Sequence, residues 1–446
     1  METNRLITEK LPRLYLQYVL PAMAAMVLDG IQSIADGIFI GQFAGAGAMA
    51  SVNIANPYYQ AVIGLSMVLC TGTMSAAGRA LGAGDRQKAR RLFRSALGVL
   101  AGLSMLLGLA GALAARPLAA FLGADATLIQ DSAAYIGTLA LFVPVICFKI
   151  LLGFMGRLIE KPHLYLMGTV VTLVTNIGLD YVAVKLMGLG TAGAAAATGL
   201  AYLAGLCVVA GPYLKRKTVL NIWQGRFSGR EIARAAYNGA SEGVTYAAGA
   251  LTMFLLNRSF MALSGPEGVA AFTVISYLGN FVTLLMFGMA DGVSPILSSN
   301  CGAGQQERIR RTLRTALWGN ACLGAGLCAV FWLGGPWLIR LFLGAEAAGP
   351  VAAMAVHGSR IYGLCFLLNG FNIVHSGYHT ALGHAGASIA IAASRGAVFI
   401  ALGVWALGAL WGLDGVWAAL PFAESMTALL CLGLWQKERS RQRQAA

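Results

Sequence analysis

Residues 82 to 97 read GAGDRQKARRLFRSAL, and residues 302 to 317 read GAGQQERIRRTLRTAL. Gly82 and Gly302, Gly84 and Gly304, Arg90 and Arg310, Arg91 and Arg311, Arg94 and Arg314, and Leu97 and Leu317 match at one offset, which is the mark of an internal repeat. The likeness extends outward: PLAAFLGAD from 117 matches PWLIRLFLGAE from 336, and GLGTAGAAAATG from 188 matches GLDGVWAALPFAE from 412. Two similar halves follow, residues 1–213 and 237–446, joined by a basic stretch at 214–236.

What lies between the matched stretches decides the solvent. Of the 446 residues 58% are hydrophobic and only 11% charged, which is a membrane composition. A helix needs about 20 apolar residues to cross a bilayer core. Runs of that kind cover about 14 to 42, 49 to 77, 95 to 115, 132 to 156, 163 to 187, 191 to 213, 238 to 262, 268 to 298, 315 to 340, 351 to 380, 386 to 410 and 413 to 435. The expected fold is therefore all-α, with twelve transmembrane helices in two six-helix bundles. A membrane barrel is excluded, because its strands alternate over about ten residues instead of running continuously apolar. An even number of spans per half gives both halves one orientation, so the pseudo-two-fold axis runs along the membrane normal, as in the parallel repeats of secondary transporters.

The net charge of +14 is explained by where the basic residues fall. Arg5, Lys10 and Arg13 precede span 1, and Arg79, Arg86, Lys88, Arg90, Arg91 and Arg94 lie between spans 2 and 3. Arg157 and Lys161, Lys215 to Arg234, Arg308 to Arg314, and Lys437 to Arg443 occupy the later connections on the same side. The opposite side receives only Arg116, Lys185, Arg258, Arg340 and Arg360. The positive-inside rule then puts both termini in the cytoplasm, and the basic excess is topological, not a nucleic-acid footprint. The N-terminus lacks a cleavable signal pattern, so the first span is its own targeting signal. The eight cysteines stand singly without CxxC spacing, which argues against disulfide frameworks and zinc sites. GAGDRQKARR lacks the GK[ST] ending of a phosphate loop, so ATP is a poor energy source and an ion gradient is the expected one.

Intramembrane ionisable groups are costly and mark ion or substrate paths. Six carboxylates fall within the spans, Asp29, Asp36, Asp180, Glu242, Asp291 and Glu424, against only Lys149 and Arg395. This excess of acid suggests small organic cations as cargo. In DGIQSIADGIFIGQ, Asp29, Gln32, Ser33 and Asp36 form one polar stripe over two helical turns, which must face protein or water and not lipid. Asn176 and Asp180 in TNIGLD are four apart and share a face, with Asp180 closing its helix. A buried carboxylate gains proton affinity, and a carboxylate pair with an amide oxygen also suits Na⁺, so H⁺ and Na⁺ both remain open as the coupling ion. For Asp29, Asp36 and Asp180, each taken singly, the plain alternative is a helix-end acid snorkelling to water.

In the second half, Glu242 in NGASEGVTY lies near the start of span 7, Asp291 in GMADGVSP in span 8, and Glu424 in LPFAES in span 12. Arg395 in ASRGAVF neutralises one of them in either a structural or a functional pair, since buried charges are normally paired. Lys149 carries no assignment. His375, His379 and His384 in HSGYHTALGH lack the carboxylate of an HExxH site and read as polar lining. Tyr15, Tyr18, Tyr58 and Tyr59 suit either cation–π contact with a flat cation or interfacial anchoring.

With these residues in view, the chain resembles the multidrug and toxic compound extrusion (MATE) family, in the bacterial branch similar to the DNA-damage-inducible and staphylococcal multidrug exporters. The resemblance covers about the whole chain. It rests, in order, on DGIFIGQFAGAGAMASVNIANP, GRALGAGDRQKARRLFRSAL, NIGLDYVAV, NGASE, GVSPILSSNCGAGQQERIRR, ALGHAGASIAIAASRG and GLDGVWAALPFAE. It implies a monomeric exporter in the bacterial inner membrane, V-shaped, without cofactor and without enzymatic activity, which exchanges organic cations for H⁺ or Na⁺. It further implies a cation-coupling site at Asp36, Asn176 and Asp180, a hinge at Pro21, and a family glutamate at Glu242; the polar and charged pattern of the spans itself adds Asp29, Gln32, Asp291, Arg395 and Glu424 as accessory or substrate-cavity residues beside Glu242. Asp29 and Asp291 stand as additions to the common pattern that tune substrate choice. Two departures weaken C-lobe sodium binding and the usual link between spans 4 and 5: Gly249 replaces a deeper glutamate, and RLIEKPHLY replaces an arginine and glycine-rich stretch. A flippase for lipid-linked oligosaccharide or other lipid-linked cargo shares the two-bundle plan and is the alternative; it would want a basic cavity for pyrophosphate.

Overall fold

Long apolar runs leave a backbone no water to bond with, so each folds as a helix that satisfies its own amides. The computed structural model describes residues 4–343 and 349–445, with side chains described except at 340–343 and 438–445. The side chains of Arg340, Arg439, Arg441 and Arg443, and all of Glu346, lie outside the described residues. Six helices of span length form the first half, besides the short helices Arg5–Thr8 and Ala115–Phe121: α1 Leu11–Phe43, α2 Ala46–Gly82, α3 Arg86–Leu113, α4 Ile129–Met155, α5 His163–Leu186 and α6 Gly190–Leu214. The stretch Gly229–Gly302 breaks at Gly265, whose φ of 64° and ψ of −156° are non-helical, and so supplies α7 (229–264) and α8 (266–302). There follow α9 Gln306–Ile339, α10 as the pair Pro350–Gly363 and Phe366–Leu382 bent by 47°, α11 Ala385–Trp411 and α12 Leu413–Lys437. The twelve expected spans are thus present among the described residues.

Several helices outrun their apolar windows. Arg86 to Arg94 and Arg308 to Arg314, expected in connections, lie on the first turns of α3 and α9. Arg, Lys and Gln are good helix formers, and water beyond the bilayer does not stop a helix. By the same extension α7 begins at Gly229, so Glu242 is not near the helix start but thirteen residues in, about 20 Å along the axis. The helix of α1 runs on through Pro21 without a break.

The chain packs as two compact units. Unit 1 comprises Met1–Gly239 and Ser298–Gln306; unit 2 comprises Ala240–Leu297 and Glu307–Ala446. In unit 1, α4 lies between α2, α3 and α6, while α5 packs against α1 and α6; in unit 2, α12 packs along α10 and α11. The stretch 214–236, expected as a linker, is bound into unit 1. Arg90 Nε donates to the Val219 carbonyl at 3.0 Å and Arg94 Nη1 to the Ile222 carbonyl at 2.9 Å. Arg91 pairs with Glu231 at 3.2 Å. Two arginines of the repeated motif therefore lash an irregular segment to α3, and a third pairs with the first turn of α7.

The glycines of that motif have two separate physical reasons. Gly84 and Gly304, at φ of +81° and +70°, take the left-handed turn between α2 and α3 and between α8 and α9, a conformation costly to side-chain residues. Gly82 and Gly302 serve close approach: a methyl at Gly82 would strike the Ser299 carbonyl, and one at Gly302 would strike the Arg79 carbonyl. Arg79 and Ser299 stand at the same offset as Gly82 and Gly302, so the contact is reciprocal, as a two-fold axis requires. Gly82→Ala and Gly302→Ala are each expected to cost about 1–3 kcal/mol by overpacking. Gly102→Ala, in open space on α3, leaves the thermal midpoint unchanged or raised. A midpoint for Gly82→Ala equal to wild type would refute the contact.

Candidate functional site

The interior of unit 1 collects the polar residues of α1 and α5. Gln32 is buried, Asp29 and Asp36 are half-buried and Ser33 is exposed. Asn176 and Asp180 are 0% and 1% exposed, so Asp180 does not snorkel to water. Nor does it close its helix: at Tyr181 the α-helix widens into π turns that continue to Leu186. The same widening follows Asp36 at Ile40–Ala44, where the Ile40 amide donates to both the Asp36 and Gly37 carbonyls. Such π turns gather at functional positions in helices.

Across α1 and α5, Asp36 packs against both Asn176 and Asp180. Yet Asp36 Oδ1, both Asp180 carboxylate oxygens and both polar atoms of the Asn176 amide are buried without a well-formed hydrogen bond. Orphaned buried polar atoms cost on the order of 1–3 kcal/mol each, and two adjacent carboxylates repel when both are ionised. The cluster is therefore short of positive charge. A proton shared by the carboxyls, or a small hard cation taking carboxylate and amide oxygens, answers that shortage.

A second cluster centres on Asp29. Its Oδ2 accepts from the Tyr165 hydroxyl at 3.1 Å. Lys149 on α4, 1% exposed, donates to Thr169 Oγ1 at 3.1 Å. Its ammonium lies 4.9 and 5.0 Å from the ring centroids of Tyr165 and Tyr202, and within the electrostatic reach of Asp29. Tyr59 and Tyr202 share a hydroxyl hydrogen bond of 2.8 Å. Sequence reading missed Tyr165, Thr169 and Tyr202, which no motif links to residue 29.

Unit 2 has its own charge cluster. Glu424, 2% exposed, takes Arg395 Nε on Oε1 at 2.7 Å. Asn369 Nδ2 donates to Oε1 at 3.1 Å, and Asn372 Nδ2 to Oε2 at 2.7 Å and to the Glu424 carbonyl at 2.8 Å. Arg395 sits in a third set of π turns, Ser394–Val398. Glu242 lies within electrostatic reach of both Asp291 and Arg395. The two amides were missed as well, although NGFN sets them three apart on one helix face. His375 and His379 are buried, with His375 Nδ1 at 3.0 Å from the Phe371 carbonyl. Among the described residues no three His, Cys, Asp or Glu side chains are grouped so as to hold a metal ion.

Both halves thus bury charged side chains among long apolar helices. A sequence model of the MatE family matches residues 21–182 and again 244–405, once per half, and the chain belongs to that family of transporters. Multidrug export protein MepA of Staphylococcus aureus (strain bovine RF122 / ET3-1) is 25% identical over 424 residues, covering 94% of this chain and 92% of that protein. MepA of Staphylococcus saprophyticus is 22% identical over the same shares. Among solved structures, a MATE in complex with MaL6 superposes with a TM-score of 0.93 at 21% identity over the whole of both chains. The outward-facing form of a multidrug resistance MATE family transporter superposes with a TM-score of 0.90 at 23% identity, covering 100% of this chain and 99% of that one. These share the fold.

Proposed function

We propose that the protein exports organic cations from the bacterial cytoplasm by antiport against H⁺ or Na⁺, with Asp36, Asn176 and Asp180 as the coupling site. The carrying observation is the adjacent carboxylate pair in which Asp36 Oδ1 and both Asp180 oxygens are buried without a well-formed hydrogen bond. The staphylococcal relatives named as multidrug export proteins support the cargo class, as does the excess of acid over base within the spans. That acidity also disfavours the flippase reading, whose pyrophosphate cargo needs a basic interior.

The mechanism is a competition. With the carboxylates ionised, the interior attracts a cationic drug. Arrival of H⁺ or Na⁺ at Asp36 and Asp180 removes the attraction and favours a different conformation, so gradient ions moving inward expel cargo outward. The protein works as a monomer in the inner membrane with both termini cytoplasmic, and catalyses no covalent step. The test is uptake of a fluorescent organic cation into proteoliposomes under an imposed H⁺ gradient and, separately, an imposed Na⁺ gradient. Transport under one of them names the coupling ion. Transport under neither, with protein correctly inserted, overturns the proposal.

A further inference from the structure

A lysine ammonium fully buried in a membrane protein is expensive unless its charge is compensated. Lys149 donates a hydrogen bond to Thr169, has two tyrosine rings about 5 Å from its ammonium and lies within electrostatic reach of a carboxylate, Asp29. Aromatic faces within about 6 Å and a nearby carboxylate are the ingredients of an ammonium cage. Five of the six long helices of the first half contribute to it: Asp29 from α1, Lys149 from α4, Tyr165 and Thr169 from α5, Tyr202 from α6, and Tyr59 from α2 through its bond to Tyr202. The carboxylate is incompletely used, since Asp29 Oδ1 is buried without a hydrogen-bond partner.

We propose that Asp29, Tyr165 and Tyr202 form a second cation site in unit 1, specific for a primary ammonium group and filled in this conformation by the chain's own Lys149. The lysine is a tethered ligand. It supplies the positive charge that the Asp36, Asn176 and Asp180 cluster lacks, so Asp29 needs no ion from solution and takes no part in coupling. One consequence rests on the export reading: a cargo amine reaches Asp29 only by exchange with Lys149, which makes the lysine a built-in competitor that favours release.

The test uses purified full-length protein with no gradient, so its failure and a failure of the export reading are separately visible. Lys149→Ala removes the atoms of n-propylammonium. Its thermal midpoint is expected to fall, then to rise with millimolar n-propylammonium chloride, but not with n-propanol or with sodium chloride at equal strength. The rise is expected to vanish in the Asp29→Asn, Lys149→Ala double variant. Equal rescue by n-propanol, persistence of rescue in the double variant, or no response to n-propylammonium would overturn the proposal. Should Lys149→Ala not fold, Asp29→Asn and Lys149→Met provide an independent reading. Asp29→Asn strands a buried ammonium, and adding Lys149→Met is expected to recover the lost midpoint; additive losses would overturn the cage.

Discussion

Asp36→Asn is expected to reduce gradient-driven cation transport in proteoliposomes to the level of protein-free vesicles, while the purified protein melts at or above the wild-type temperature. The two halves of this expectation have one cause. Asp36 and Asp180 are adjacent, and Asp36 Oδ1 and both Asp180 oxygens are buried without a well-formed hydrogen bond. An amide at position 36 removes like-charge repulsion and supplies a donor to Asp180, so the resting fold gains. The same amide takes up no proton and offers Na⁺ a neutral oxygen in place of a charged one, so the ion loses its means of displacing cargo. Loss of activity with gain of stability is the behaviour of a site held in an unfavourable state for a purpose. A variant that transports normally under either gradient would remove Asp36 from the coupling role, and one that melts well below wild type would show the residue to be structural.

Arg395→Met should produce the largest loss of stability of any single change considered. Glu424 is 2% exposed, and its partner arginine on α11 lies 2.7 Å away. Removing one member of a buried ion pair costs about 3–5 kcal/mol, because the other charge is left uncompensated. The remaining donors, Asn369 and Asn372, are neutral amides and do not balance the charge. The double variant Arg395→Met, Glu424→Gln should recover most of the loss, since a glutamine carbonyl still accepts from an asparagine amide. Thermal midpoints of the two single variants and the double provide the check. A double variant no better than Arg395→Met would mean that the arginine acts by packing, for example against the Phe287 ring, whose centroid lies 5.8 Å from its guanidinium carbon.

The fold was largely readable from the chain because both of its determinants are linear. Apolar run length fixes a span, and the repeat at 82 and 302 fixes the halves. The spacing of four that puts Asn176 and Asp180 on one face is equally linear. The packing of Asp36 against them is a crossing of α1 and α5, which no periodicity encodes and which entered only through family resemblance. Lys149 illustrates the limit well. Its neighbours come from residues 29, 165, 169 and 202, and nothing about PVICF before it or ILLGF after it distinguishes a counterion from an isolated buried base. The docking of 214–236 was hidden for another reason: arginines of α3 there donate to backbone carbonyls of irregular chain, and a carbonyl has no residue type. Asp180 was misplaced at a helix end because π turns have no compositional signature.

Those π turns have a mechanical meaning. A π turn holds one residue more than an α turn closing over the same rise, so each is a dislocation in an otherwise regular lattice of backbone bonds. Moving a dislocation past a residue rotates that residue's side chain by about 100° about the helix axis without unfolding the helix. The three dislocations begin four residues beyond Asp36, directly after Asp180 and around Arg395, so a single-residue slip re-aims Asp180 or Arg395, and a slip of one helical turn reaches Asp36.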